Sequence, residues 1–115
     1  MWHCEKIEIA MSIIDSFERM LAAGKDNPLL RFSLGNEYLK LNEITRAVDH
    51  LRAAVAQDAA YSAAWKMLGK ALARADDIEG AKVAYTNGVA AATANGDKQA
   101  VKEMMVFLKR LKRTA

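Results

Sequence analysis

The chain of 115 residues is long enough for one folded domain and too short for separate catalytic and regulatory domains. With 52% hydrophobic and 27% charged residues, one proline and one cysteine, its composition excludes a disordered, collagen-like or disulfide-stapled protein. The single cysteine is typical of a reducing compartment, and no apolar run approaches the ~20 residues of a membrane span, so we expect a cytoplasmic protein. The net charge of +3 is concentrated in residues 97–115, which carry six basic and two acidic side chains.

Six helices are predicted in chain order. The first, over about 5–23, has a one-sided apolar stripe and ends before Gly24, which suits a helix C-terminal cap. Asn27 can cap the second helix through its side-chain oxygen. Pro28 suits the first helical position, because it has no backbone N–H that would need an acceptor there. This helix is predicted to end near residue 41. The other four helices are expected at about 44–57, 61–75, 78–94 and 97–113, with turns at 42–43 and 76–77 and a cap at Gly96.

The chain also repeats itself at a constant spacing. Leu34-Gly35 recurs as Leu68-Gly69, and Ala47 recurs as Ala81; we call this spacing one repeat length. It predicts an all-α domain of two helix pairs, residues 28–61 and 62–95, between a flanking helix over 5–23 and a capping helix over 97–113. The first helix is in register with the second helix of a repeat, since the same spacing relates Phe17, Leu51 and Tyr85.

The second repeat contains the pattern Trp65-x-x-Leu68-Gly69-x-x-Leu72 followed by Ala81-x-x-x-Tyr85. This pattern resembles the tetratricopeptide repeat, a unit of two helices with the same repeat length. The first repeat shows the corresponding Arg31-x-x-Leu34-Gly35-x-x-Tyr38 followed by Ala47-x-x-x-Leu51. The resemblance implies a right-handed α-α superhelix, and the size is similar to that of small stand-alone bacterial members of the family. The sequence departs from the family pattern in two ways. Arg31 stands in the first repeat where Trp is common, and both repeats lack the Pro that usually closes a unit.

The residue types of the repeat have a packing rationale of their own. Gly35 and Gly69 lie in the middle of predicted helices, where Gly costs about 1 kcal/mol relative to Ala. That cost is acceptable where a neighbouring helix approaches closely, and Ala47 and Ala81 are its small partners. The other residues expected to pack the repeats are Leu34, Tyr38, Leu51, Trp65, Leu68, Leu72 and Tyr85.

The sequence offers little for catalysis, and we expect no catalytic residues, no metal and no cofactor. His3 and Cys4 are adjacent and lack zinc-ligand spacing. His50 is expected on a solvated helix face. Asp76-Asp77 could pair two carboxylates, but a turn followed by a helix cap explains them better.

The resemblance implies that the first helix of each repeat lines a concave surface that binds a peptide. Helical spacing then selects one stripe on each of these helices: Phe32, Asn36 and Lys40, and Lys66, Lys70 and Arg74. The second stripe has no acidic residue at four-residue spacing, so its three cations would suit an incoming anion, although an ordinary solvated face explains it equally well. Continuing the stripe into the last helix gives Ala100, Met104 and Leu108, which we expect to turn into the core.

Family members that clamp a terminal carboxylate use Lys and Asn on these faces. Asn36 and Lys70 are compatible with such a clamp, whereas Phe32 stands where those members carry Lys. The main prediction is therefore an adaptor that binds an acidic or C-terminal peptide of another protein. One alternative is a homo-oligomeric assembly protein, a homodimer joined through the first helix or Trp2, because two repeats fall short of the roughly three that are usually needed for stability.

A second alternative places function in the basic cluster Lys109-Arg110-Leu111-Lys112-Arg113. Such a cluster can bind nucleic acid or an anionic surface. It lacks interleaved aromatic residues, however, and cations at a helix C-terminus are favoured by the helix dipole. A solvated cap is the preferred interpretation, and nucleic acid is the less favoured partner.

Overall fold

The computed structural model describes residues 2–114, with side chains from residue 5 to residue 113, and this part of the chain contains helices and no strand. The elements are α1 (Trp2–Ala22), α2 (Pro28–Lys40), α3 (Ile44–Gln57), α4 (Ser62–Arg74), α5 (Ile78–Asn95) and α6 (Lys98–Thr114). The predicted all-α fold of six helices is confirmed. Only α1 departs from its predicted bounds by more than one residue, because it begins at Trp2 rather than near residue 5.

Local chemistry explains where the helices begin and end. The Asn27 side chain accepts a hydrogen bond of 2.8 Å from the Leu30 backbone N–H at the start of α2. Asn42 and Asp76, one repeat length apart in the two short turns, both adopt left-handed backbone conformations, with φ of 60° and 64°. Asn and Asp are among the non-glycine residues that tolerate this conformation best. Both turns can therefore be short, which makes α2 and α3, and likewise α4 and α5, antiparallel neighbours.

The six helices form two layers. Each helix packs against the next along the chain, and α4 also contacts α2 and α6. Consequently α2, α4 and α6 lie side by side in one layer, while α1, α3 and α5 form the other. The division into repeats at 28–61 and 62–95 stays a prediction from the sequence register, although each of these ranges holds one helix pair.

The core lies between the layers and contains the residues singled out for packing. Leu34, Ala47, Leu51 and Ala81 are fully buried, and the buried set also includes Gly35, Tyr38, Leu68, Gly69, Leu72 and Tyr85, with Trp65 half-buried. Two glycines mark the closest helix crossings. A Cβ atom on Gly35 would lie 2.5 Å from Leu51 Cγ, and one on Gly69 would lie 2.6 Å from Tyr85 Cε1.

The structure contains a third close crossing that the sequence pattern did not predict. A Cβ atom on Gly88 of α5 would lie 2.9 Å from Trp65 Cβ and 2.5 Å from the sulfur of Met104. This glycine therefore lets α5 contact α4 and α6 at one point. The available signal was the small residue Ala54 at the equivalent position, one repeat length earlier.

Candidate functional site

Side chains on one side of α4 contact both α2 and α6. We call this surface the α2–α4–α6 face, and its members are Phe32, Asn36, Lys40, Lys66, Lys70, Arg74, Glu103 and Phe107. The first six are the stripe residues predicted from helical spacing. The last two come from α6 and were not predicted.

Two of the predicted cations have carboxylate partners. Lys66 Nζ lies 3.7 Å from Glu103 Oε2, with the two side chains 25% and 42% exposed. Lys40 Nζ lies 2.9 Å from Glu37 Oε2 on its own helix. The expectation that all three cations of α4 are available to an incoming anion is therefore wrong for Lys66. Spacing rules within one helix could not reveal this, because the partner belongs to α6.

The other two cations of α4 are held by uncharged groups. Lys70 Nζ lies 5.5 Å from the centroid of the Phe107 ring, within the range of a cation–π interaction. Arg74 Nη1 donates a hydrogen bond of 3.3 Å to the backbone carbonyl oxygen of Leu39 at the end of α2. Within the described residues, neither Lys70 nor Arg74 forms an ion pair. Their positive charges consequently remain without a counterion on this face.

On α2, the face combines an aromatic side chain with an amide. The ring centroids of Phe32 and Tyr61 lie 5.0 Å apart with the planes tilted by 40°, so Phe32 is fixed against the start of α4. Asn36 Oδ1 is buried and accepts no hydrogen bond from any residue that the structure describes. Buried acceptors of this kind are usually satisfied, so Asn36 has unused hydrogen-bonding capacity on this face.

The register of α6 explains why its face residues were missed. Met104 is fully buried and Leu108 is 9% exposed, so this side of α6 turns into the core as expected, with Ala100 half-buried beside it. Glu103 and Phe107 follow their neighbours Lys66 and Lys70 by three positions more than one repeat length. The shift arises before α6, because α5 has 18 residues and α3 has 14. The link after α5 is shorter than the link after α3 and offsets only part of this difference.

His50 is packed rather than solvated, contrary to the sequence-based expectation. Its side chain is 13% exposed, and its ring stacks on Tyr38 with the centroids 5.5 Å apart. Arg31 Nη1 lies 3.1 Å from His50 Nδ1. Burial lowers the pKa of His50 and Arg31 acts in the same direction, whereas the nearby carboxylates of Glu18, Asp49 and Asp26 oppose the shift. The histidine is therefore part of the packing between α1, α2 and α3.

The remaining polar candidates do not assemble into a chemical site. Asp77 Oδ1 accepts a hydrogen bond of 3.0 Å from the Gly80 backbone N–H and caps α5. Residues 5–113 contain no group of three or more His, Cys, Asp or Glu side chains that could hold a metal ion. The side chains of His3 and Cys4 lie outside the described residues, as does that of Trp2. None of the described helices combines the length and the apolar character needed to cross a membrane.

Two grooves run along α1, and the sequence did not indicate either of them. One, of about 780 Å³, lies between α1 and the turn that joins α2 to α3, where Tyr38 Oη donates a hydrogen bond of 2.9 Å to Glu18 Oε2. Burial, with Glu18 acting in the same direction, raises the pKa of Tyr38. The other groove, of about 500 Å³, is lined by Ile9 and Ile13 of α1 and by Glu37 and Lys40 of α2.

The chain is similar to known proteins both in sequence and in structure. The chain is 52% identical over 101 residues to a TPR repeat-containing protein of Pseudomonas aeruginosa, and the match covers 88% of this chain and 96% of that protein. A protein of Bordetella parapertussis, whose solution structure is known, is 50% identical over 89% of each chain, with a TM-score of 0.77. The first TPR of Spaghetti bound to the HSP90 peptide SRMEEVD shares the fold, with 22% identity, a TM-score of 0.78 and coverage of 95% of this chain and 82% of that one. No family model matches the sequence.

Proposed function

Because this chain belongs to the tetratricopeptide repeat family, as its sequence pattern predicted, we propose that it is a protein-interaction module that binds an acidic or carboxylate-terminated segment of another protein on the α2–α4–α6 face. The proposal assigns no reaction to this face. A fold neighbour supports this kind of ligand, since the first TPR of Spaghetti is bound to a peptide, SRMEEVD, with three acidic side chains among its seven residues. The single cysteine favours a reducing compartment, so the partner is sought among cytoplasmic proteins.

The observation that carries the proposal is the pair of held but unneutralised cations on α4. Phe107 supports Lys70 and the carbonyl of Leu39 holds Arg74, and neither cation has a carboxylate partner in the described part of the chain. Hydrogen bonds from such cations to a carboxylate are about twice as strong as bonds between neutral groups. A carboxylate that reaches the face between α2 and α6 would therefore find two cations already in position.

The neighbouring residues would supply contacts that do not depend on charge. Asn36 lies one repeat length before Lys70, and its Oδ1 atom can accept a hydrogen bond from a ligand N–H once the amide is reoriented toward the ligand. Phe32 and Phe107 offer apolar surface on either side. Glu103, in contrast, neutralises Lys66 and would repel a second carboxylate at that end of the face. Partly exposed cations together with one opposing carboxylate favour affinities on the order of micromolar.

The test is a fluorescence anisotropy titration of the full chain with labelled SRMEEVD, used once with a free C-terminus and once with an amidated one. Lys70→Glu should weaken binding by roughly tenfold or more, because a charge-assisted contact becomes a repulsion. Arg52→Glu is the matched control, since Arg52 is exposed on α3, in the other layer, and undergoes the same change in charge. Both variants should keep the helical content of the wild type, and Lys70→Glu should lower the melting temperature only by the loss of its contact with the Phe107 ring.

The two peptide forms separate the two kinds of ligand. Loss of binding on amidation would assign the site to a terminal carboxylate, and equal binding would assign it to acidic side chains. Equal effects of Lys70→Glu and Arg52→Glu would exclude the α2–α4–α6 face. No binding of either peptide by the wild type at ~1 mM, a concentration that would reveal a complex of only about −4 kcal/mol, would refute the proposal.

A further inference from the structure

The first helix leaves part of its apolar surface uncovered. In α3, the positions that face α2 are filled by small residues, Ala47 and Ala54, both fully buried. The residues one repeat length earlier on α1 are Ile13 and Met20, and Met20 is 39% exposed. With Ile9, which is 60% exposed, they form what we call the α1 stripe. By this register, the α1 stripe lies where the second helix of a pair normally meets its first helix. The described helices leave Ile9 and Met20 exposed and cover Ile13 only in part.

The last helix has a complementary uncovered surface. Glu103 and Phe107 follow Lys66 and Lys70 by three positions more than one repeat length, and the same shift aligns Met105 and Val106 with Leu68 and Gly69 of α4. In α4 these two positions are buried, and Gly69 packs against Tyr85 of α5. In α6 they are 43% and 46% exposed. The α6 stripe, defined as Met105 and Val106, is therefore the surface that a following second helix would cover.

We propose that copies of this chain associate head to tail, with α6 of one copy packing antiparallel on α1 of the next. The α6 stripe would then meet the α1 stripe, and the two terminal helices would complete one helix pair between them. Because the same two surfaces are used in every contact and they differ from each other, the contact is heterologous and extends to a chain of copies or closes into a ring.

Charge complementarity supports a second copy as the occupant. The N-terminal part of α1 carries the exposed acidic residues Glu5 and Glu8, with the single cation Lys6 between them, and is acidic on balance. The C-terminal part of α6 carries the exposed basic residues Lys109, Lys112 and Arg113. In an antiparallel helix pair the C-terminal end of one helix lies beside the N-terminal end of the other. The basic end of α6 would thus lie beside the acidic end of α1, whereas packing of α6 on α6 would bring like charges together.

The groove of about 500 Å³ between α1 and α2 adds a geometric argument. It is lined by Ile9 and Ile13 of the α1 stripe and by Lys40 of α2, so a helix seated there would contact both α1 and α2. Within the chain, α2 likewise contacts both α3 and α4. Arg74 of α4 donates a hydrogen bond to the backbone oxygen of Leu39 at the C-terminal end of α2. Lys40 lies one repeat length before Arg74, so it could donate in the same way to the C-terminal end of an incoming α6.

The test is sedimentation equilibrium of the full chain at low ionic strength over a wide concentration range. The wild type should show masses above 12.7 kDa that rise with concentration and fall when salt is added. Two charge-reversed proteins probe the contact, an acidic-end variant, Glu5→Lys with Glu8→Lys, and a basic-end variant, Lys109→Glu with Lys112→Glu. Each alone should weaken association on the order of tenfold, since two attractive pairs become repulsive.

Mixing the two variants is the decisive arm. A head-to-tail contact predicts that an equimolar mixture regains association, because each α6 then meets an α1 of opposite charge. The control for the basic-end variant is a double variant with the same change in charge elsewhere, Lys25→Glu with Arg52→Glu, which should associate like the wild type. Circular dichroism of each protein verifies that the helices are intact.

Three outcomes would overturn the proposal. A wild type that stays at 12.7 kDa at every concentration has no such contact. If the basic-end variant still associates by itself, the contact is formed by α1 alone, as in a symmetric dimer. If the mixture does not regain association, the two ends do not meet. If the wild type is then retained on RNA or anionic vesicles, the basic end of α6 binds another class of partner.

Discussion

Replacement of Gly69 by Ala tests whether α4 and α5 cross as closely as the fold requires. A Cβ atom at this position would lie 2.6 Å from both Cε1 and Cζ of Tyr85 and 2.8 Å from Cδ1. Carbon atoms in favourable contact lie about 3.5–4.0 Å apart, so the ring would have to move by roughly 1 Å. Tyr85 is 2% exposed and stacks on Phe107 at a centroid distance of 5.3 Å, so this movement would disturb α6 as well.

The expected loss of stability is the difference between two effects. Overpacking costs about 1–3 kcal/mol, and a rigid aromatic neighbour places Gly69→Ala near the upper end of that range. The higher helix propensity of Ala returns about 1 kcal/mol. We therefore expect a net loss of about 1–2 kcal/mol, or a decrease in melting temperature of about 4–8 °C for a domain of this size.

Urea denaturation followed by circular dichroism measures the change, and a double-mutant cycle assigns its cause. With Tyr85→Val the ring is gone, and Gly69→Ala should then stabilise that protein by about 1 kcal/mol. The exposed Ala90 of α5 calibrates helix propensity, since Ala90→Gly should cost about 1 kcal/mol. The close crossing would be wrong if Gly69→Ala did not lower the free energy of unfolding of the wild type. It would also be wrong if Gly69→Ala lowered the free energy of unfolding by the same amount in the Tyr85→Val protein.

Two further predictions concern protonation. Because burial lowers the pKa of His50 from its ordinary 6.5, the unfolded chain takes up a proton that the folded chain resists, so stability is lost as the pH falls below about 6.5. The decrease in melting temperature between pH 7.5 and 5.5 should therefore be smaller in His50→Gln than in the wild type, and equal decreases would contradict the burial of this ring. Burial raises the pKa of Tyr85 from 10.0 to about 12, so stability decreases as the pH rises between those values. Absorbance titration at alkaline pH should show one of the three tyrosines ionising last, and Tyr85→Phe should remove that step; its persistence would assign it to another tyrosine.

Much of the fold could be predicted because its determinants are local. Asn27 and Pro28 mark the start of α2 by their own backbone chemistry, and Asn42 and Asp76 mark the turns in the same way. Gly69 predicted a close crossing because a mid-helix glycine needs a compensating contact. These signals come from neighbours in sequence or from a constant spacing, so they are visible without coordinates.

The candidate site could be predicted only in part, for the opposite reason. Phe32 and Lys70 follow from helical spacing, but Glu103 and Phe107 depend on where α6 begins, which the additional length of α5 determines. A shift of three positions turns a helix by about 300°, so a constant repeat length selected the buried side of α6. The packing of His50 likewise depends on α1 and α2, which are distant in sequence, and its neighbours on α3 gave no sign of it.

The bond from Arg74 to Leu39 O has a thermodynamic consequence for any anion bound there. A long, mobile side chain normally loses rotamer entropy when a ligand fixes it, at about 0.5–1.5 kcal/mol per side chain. Here the backbone of α2 has already imposed part of that loss during folding. Calorimetry of an anion at Arg74 should accordingly show a smaller entropic penalty than the same contact made through the exposed Arg52 on the opposite layer.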